Sequence, residues 1–146
     1  MAIVKWESGS AANVLTTDLN SLLQNAKKIS AAIDNTSDLY LFDDVELLTG
    51  VFSSAPPSGA MVELYSIPSI DGTNYGEGSD TIAPPPSSLV GIFNIRAATA
   101  SQRHIIRGIP VVPGKFKYLI INLIGMNFAS SGNTLRRLPY RYQTTN

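Results

Sequence analysis

The chain has 146 residues, a mass of 15.7 kDa and a formal net charge of zero. It contains no Cys and one His, His104, which excludes disulfides, thiol nucleophiles, Cys-zinc sites and imidazole clusters. Charged residues make up 15% and hydrophobic residues 44%, with 16 Ser, 10 Thr and 10 Asn filling the balance, so a single domain with an ordinary core is expected rather than a disordered chain.

Residues 1–10 lack the basic start and apolar core of a signal peptide, and no apolar run reaches the ~18 residues of a membrane span. The expectation is a soluble chain made in a cytoplasm, with no membrane partner. Ile3–Trp6 reads as a short extended segment. The following Ser8-Gly9-Ser10 would let residues 1–10 reach out as an extended N-terminal arm. Thr16 or Thr17 can cap a short helix through Leu23, with Asp18 in its first turn and Leu19, Leu22 and Leu23 on one side. Lys28–Ile33 is a short strand. Leu39–Phe52 is another, with a bulge or break expected near Asp43-Asp44. Ser53–Gly59 is a turn, because Pro56 and Pro57 fix φ and Gly59 relaxes it.

Ala60–Ile67 alternates as a half-buried strand. Pro68–Ser88 has no regular period, and a loop of that length in a small domain is usually functional or mobile. Leu89–Arg96 follows as a strand with Val90, Ile92 and Phe93 inward, then Gln102–Ile109 with Ile105 and Ile106. Lys115–Ile124 is the strongest strand, apolar enough on both faces to sit centrally under cover. Thr134–Tyr142 closes the series with Leu135 and Leu138 inward. Seven or eight short strands separated by turns predict one all-β domain over 1–146, an antiparallel β-sandwich of jelly-roll type, with one short N-terminal helix.

Charge is ordered along the chain. Residues 1–80 hold all eleven acidic residues and three bases, and residues 81–146 hold eight bases and no acid. Acidic and basic strands can neighbour each other in one sheet and pair. The same order could instead give a molecule with an acidic and a basic patch, the basic last strand meeting acidic groups on a neighbour. A balanced chain argues against nucleic acid as a partner.

No motif carries catalysis. His104 sits in a strand beside Arg103, with no nucleophile-elbow sequence near any Ser. Glu63, Glu77 and Asp80 read as solvated carboxylates rather than a glycosidase pair. Asp71, Asn74, Glu77 and Asp80 are oxygen ligands of the calcium kind, but Asp71-Gly72-Thr73 departs from the EF-hand pattern. A surface loop is the better reading, with a turn at Asp71-Gly72 and Tyr75 as its anchor. No catalytic, cofactor or metal residue is therefore assigned. The candidate interface is Trp6 together with the basic aromatic strand Arg136, Arg137, Tyr140, Arg141 and Tyr142, because interfaces favour Arg, Tyr and Trp. Outward arginines of an ordinary last strand would read the same way, and Trp6 suits either a core plug or an interface anchor.

Trp6, Leu39–Leu48, Val62–Tyr65, Asp71-Gly-Thr-Asn-Tyr75, Leu89–Phe93, Pro113-Gly-Lys-Phe-Lys117 and Gly132-Asn-Thr-Leu135 span nearly the whole chain. Together they resemble a family of small virion proteins of tailed bacteriophages, the head decoration or cement proteins. The resemblance implies a β-sandwich on the outer capsid surface that bridges major capsid subunits, self-associates as a dimer or trimer, and works without turnover. The alternative is a tail, neck or fibre module that binds a receptor or carbohydrate, which should show an exposed aromatic platform at Tyr75 with Tyr65 or at Trp6.

Overall fold

Period-two burial builds the strands. Phe42–Thr49 alternates half-buried and buried residues without exception, with Asp43, Val45, Leu47 and Thr49 inward. A computed structural model describes residues 2–145. Its strands are β1 (Ile3–Ser8), β2 (Ala12–Leu15), β3 (Lys27–Ile29), β4 (Ile33–Asp34), β5 (Phe42–Thr49), β6 (Met61–Ser69), β7 (Leu89–Asn94), β8 (Gln102–Pro110), β9 (Lys115–Leu123) and β10 (Thr134–Thr145). One sheet runs β1-β10-β5-β8, with β2 beside β1 along the same edge of β10. The other runs β3-β9-β6-β7, with β4 extending the β3 edge of β9. Every strand pairing is antiparallel.

The chain passes from β1/β2 in the first sheet to β3/β4 in the second, back to β5, and across to the β6–β7 hairpin. It then crosses to β8, to β9 and finally to β10. This order is that of a jelly roll, as the spacing of strands and turns predicted. The expected irregularity near Asp43-Asp44 is present, since the β5–β8 register shifts between Asp43 and Val45.

The core lies between the sheets. Val45, Leu47 and Leu135 of the first sheet meet Val62, Leu64, Phe93, Phe116 and Ile120 of the second, all essentially inaccessible. Each such side chain contributes about 1.5–3 kcal/mol by leaving water. Three residues expected inside are exposed: Ile92, Ile105 and Leu138. Their neighbours Phe93 and Arg137 take the inward places, and Ile106 packs against the core. Alternation separates two faces of a strand but does not label which is inner, and a register shift between Leu64 and Tyr65 displaces β7 against β6.

The predicted helix over Thr17–Leu23 is not formed. Thr17–Leu19 makes a single 3-10 turn, and no side-chain bond caps it. The amides that would continue a helix are taken elsewhere: Ser21 donates to the Ala129 carbonyl and Asn25 to the Asn122 carbonyl. Both residues sit at positive φ, 57° and 63°. Burial of Leu19 survives the change, because one turn is enough to place it.

β9 is covered on both faces, as its apolar run required. Outside the second sheet, Tyr65, Ile67 and Leu119 form a small cluster with Ile29, Tyr75 and Ile121. The loop after β6 lies over it. Asp71 turns that loop by accepting the amides of Thr73 and Asn74 at 2.8 and 2.7 Å. Tyr75 is pinned beneath the Lys117 ammonium, 4.2 Å from the ring centre. Asp80 closes the loop by accepting from the Lys28 ammonium at 3.0 Å and the Ile29 amide at 2.9 Å. The carboxylates Asp71 and Asp80 are thus engaged in shaping a cover.

Candidate docking face

Residues 1–10, read as an arm, supply an edge strand of the chain's own sheet over Ile3–Ser8 (Met1 lies outside the described residues). β1 pairs with the far half of β10, from Ser8↔Tyr140 to Ile3↔Thr145. That half of β10 has passed the last paired residue of β5, Phe42. Strands β1 and β10 therefore continue as a two-stranded ribbon beyond the sandwich. Trp6 stands directly opposite Tyr142, their rings 4.4 Å apart and tilted by 36°. Tyr140 meets Trp6 edge-on at 5.2 Å and stacks on Phe42 at 5.5 Å. Trp6 is 60% exposed and Tyr142 50% exposed. Trp6 is accordingly no core plug, and three of the six predicted residues do assemble, joined by Phe42.

Phe42 was missed from sequence, although it shares an outward period with Asp44 and Glu46 along β5. Next to the aromatic group a shallow depression of about 290 Å³ is lined by Trp6, Ser8, Asp44, Arg107, Leu138 and Tyr140. It adjoins a second one of about 380 Å³ that reaches Glu46, Ile105 and Arg136. The outer face of the first sheet thus offers aromatic and aliphatic surface flanked by charge.

The arginines behave differently from the assembly reading. β5, which carries Asp43, Asp44 and Glu46, lies between the basic strands β8 and β10. Glu46 accepts from Arg136 at 2.6 Å and from Arg103 at 3.0 Å. Asp44 accepts from Arg107 at 3.0 Å and the Gly108 amide at 2.9 Å. Arg141 donates to Glu7 at 2.6 Å and also to the Asp38 carbonyl, its guanidinium over the Tyr40 ring. Arg137 is largely withdrawn from the surface. Its side chain is 11% exposed and reaches inward to the wholly buried Asp43. The two halves of the sequence interleave as strands, so Arg103, Arg107, Arg136, Arg137 and Arg141 each pair with an acid of the same fold. Lys28 with Asp18 and Asp80, and Lys115 with Asp34, extend the same rule to the second sheet.

Asp43 carries a network that the sequence did not reveal. It accepts two bonds from Arg137, at 2.8 and 2.7 Å, and one from the Tyr118 hydroxyl at 2.7 Å. Tyr118 belongs to the opposite sheet, so the network bolts the layers together. Burial, then the Asp43 charge, holds its phenol far above the ordinary range. A signal existed, since two adjacent acidic residues in a strand must face opposite ways and one of them must enter the core. On the face itself, burial followed by the charge of Asp44 raises the Tyr140 phenol.

His104 remains a strand residue. Its Nε2 lies 3.2 Å from Gln102 Oε1, and burial followed by the Arg96 charge depresses its pKa. Among the described residues no group of three His, Cys, Asp or Glu is placed to hold a metal ion. Tyr65 is buried and Tyr75 is under Lys117, so of the aromatic platforms considered only the one at Trp6 stands exposed.

No protein-family model and no curated protein matches the chain. Among solved structures it is similar to a carbohydrate-binding module CBM36 in complex with calcium and xylotriose, at 10% identity and TM-score 0.43, over 99% of each chain. It is also similar to a turnip yellow mosaic virus structure at 13% identity and TM-score 0.37, over 99% of this chain and 81% of that one. A third is the Macrobrachium rosenbergii nodavirus P-domain, at 9% identity and TM-score 0.37, over 98% and 94%. These are likenesses of general form, and no ligand or activity passes from them to this chain.

Proposed function

We propose that this chain is a non-catalytic adhesive module, a virion protein of the head-decoration type that docks on major capsid subunits through its Trp6 face. One observation carries the reading: Trp6 and Tyr142 stand side by side on an exposed ribbon, next to Tyr140 and Phe42. Large exposed aromatic groups cost free energy in water and repay it when a partner covers them. A sandwich bolted across its layers by Asp43 and Tyr118 is a stiff support for such a face. The bacteriophage assignment rests on the resemblance in sequence, and with it the place on the outer shell and synthesis in the host cytoplasm. Many copies on a regular shell would multiply a modest individual affinity.

The test is cryo-electron microscopy of the intact particle combined with a Trp6→Ala variant. Copies repeated over the shell at subunit junctions, and detachment of the folded variant, are expected. Few copies at a tail tip would overturn the decoration role. The second reading is a tail, neck or fibre module binding carbohydrate, favoured by the same tilted Trp6–Tyr142 pair, whose ring faces suit stacking on sugars. Trp6-dependent retention on a glycan array would support it.

A further inference from the structure

We infer that β1 is a self-complementary edge through which two copies of this chain join their first sheets into one continuous sheet. β1 ends its sheet, and its other side has no strand partner among the described residues. Gly9 donates to the Pro139 carbonyl at 2.8 Å, so Glu7, Lys5 and Ile3, in step with it, aim their N–H and C=O at β10. Val4, Trp6 and Ser8 aim theirs away, as a row of donors and acceptors. Edges of this kind are usually blunted by a bulge, Pro or inward charge. β8, the opposite edge, is protected in this way by an irregular register against β5, a positive-φ Gly108 and Pro110. β1 has no bulge against β10, no Pro, exposed Ile3, Val4 and Trp6, and two charges of opposite sign, Lys5 and Glu7, which oppose a second copy only in registers that set like against like.

The occupant is a second copy because the sequence of β1 matches itself when reversed. An antiparallel pair centred on Trp6 sets Trp6 against Trp6 and Val4 against Ser8, and these are the residues whose backbone groups are unpaired. Lys5 of each copy then stands opposite Glu7 of the other, a favourable cross-strand pair. Glu7 is already held by Arg141 at 2.6 Å, so Lys5 would complete a three-member network at each end. Pairing centred one residue away would turn paired backbone groups toward each other and lose the Lys5–Glu7 match. The resulting dimer has a two-fold axis through Trp6 and carries both aromatic groups on one face. Strand pairing alone buries little area, so the association is modest in strength.

The pairing needs no capsid. A chain that dimerises but never binds a particle would leave it standing and remove the decoration reading. The test is sedimentation velocity on the full chain up to roughly 200 μM, where even a weak dimer is populated. Wild type should reach twice the 15.7 kDa monomer mass. Val4→Pro removes an outward N–H and leaves the bonds to β10, so dimer dissociation should rise roughly tenfold or more with an unchanged circular dichroism spectrum. The chain has no Cys, which permits a register test. In this register Val4 and Ser8 of different copies lie about 5.5 Å apart at Cα, within disulfide range. Like positions lie roughly 14 Å apart. A mixture of Val4→Cys and Ser8→Cys chains should cross-link on oxidation, and neither alone should. A monomer at every concentration, a dimer indifferent to Val4→Pro, or equal cross-linking by Ser8→Cys alone would each overturn the proposal.

Discussion

Asp43 and Arg137 meet inside the sandwich, joined by paired bonds of 2.8 and 2.7 Å between a carboxylate with no exposure and a guanidinium with little. Removing one partner strands the other as a buried charge. Asp43→Ala or Arg137→Ala should therefore cost about 3–5 kcal/mol. Asp43→Leu combined with Arg137→Met should cost less than the sum of the two single changes, the remaining loss coming from the Tyr118 hydroxyl left without its acceptor. Urea unfolding of the two singles and the double gives the coupling, and near-additive losses would show that the pair is not a unit.

The buried phenols predict a loss of stability in alkali. Burial, then the hydrogen bond to Glu63, pushes Tyr65 up to about 12, and Tyr118 lies higher still. Above the ordinary phenol pKa of about 10 the unfolded chain releases these protons and the folded chain retains them. Their contribution is whole below that pH and declines as pH rises through and beyond it. Absorbance at 295 nm should show Tyr65, Tyr118 and Tyr140 ionising late. Tyr118→Phe should flatten the decline and, by removing a bond to a charged acceptor, cost about 1.5–3 kcal/mol at pH 7.

Acid should release the loop over the second sheet before the sandwich opens. The Asn74 amide, then its side chain and the Thr73 amide, hold Asp71 well below the carboxylate range. Burial pushes Asp80 up, but the Ile29 amide and Lys28 outweigh it and leave its pKa depressed. Both contributions are present above the unfolded carboxylate pKa of about 4 and vanish as pH falls through the lower folded values. Protection of the Ile29 and Asn74 amides relative to their intrinsic exchange, followed downward from pH 5, should fall while β9 stays protected. Asp80→Asn should show the faster Ile29 exchange already at pH 7.

Two glycines separate a rigid neighbour from a yielding one. A Cβ on Gly50 would lie 1.8 Å from the Ser131 carbonyl oxygen, which is backbone. A Cβ on Gly91 would lie 2.5 Å from Ile106 Cδ1, the far end of a side chain that can rotate. Gly50→Ala should cost about 3 kcal/mol or more and Gly91→Ala about 1 kcal/mol. Thermal unfolding of the two variants checks the order, and equal losses would contradict it.

Salt should leave the docking face largely untouched. Arg136 and Arg141 are engaged by Glu46 and Glu7 of their own chain. Attachment through Trp6 and Tyr142 is apolar, and it should persist from 0.1 M to 1 M NaCl, where the screening length falls from about 10 to about 3 Å. Release of the protein along that series would return the arginines to the interface.

Strands and turns were legible because they depend on neighbours: Pro56-Pro57 and Pro113-Gly114 punctuate, and Met61–Ser69 alternates. What failed depended on distant partners. Leu138 and Arg137 could not be told apart as outer and inner until β5 placed Asp43 beside β10. The helix at Thr17 was lost to carbonyls more than 90 residues away, at Asn122 and Ala129. Trp6, Tyr140 and Tyr142 were visible one by one, but their contact exists only because β1 pairs with β10. Likewise, the charge order admitted two readings until the strand order chose internal pairing.

The pairing of Ile3–Ser8 with Tyr140–Thr145 also sets a schedule. A ribosome adds roughly 5–20 residues each second, so β1 emerges many seconds before β10 is made. Throughout that interval an apolar strand carrying the only tryptophan has no intramolecular mate. Neighbouring nascent chains on one messenger carry the same strand, which makes crowding during translation the moment when premature association competes with folding.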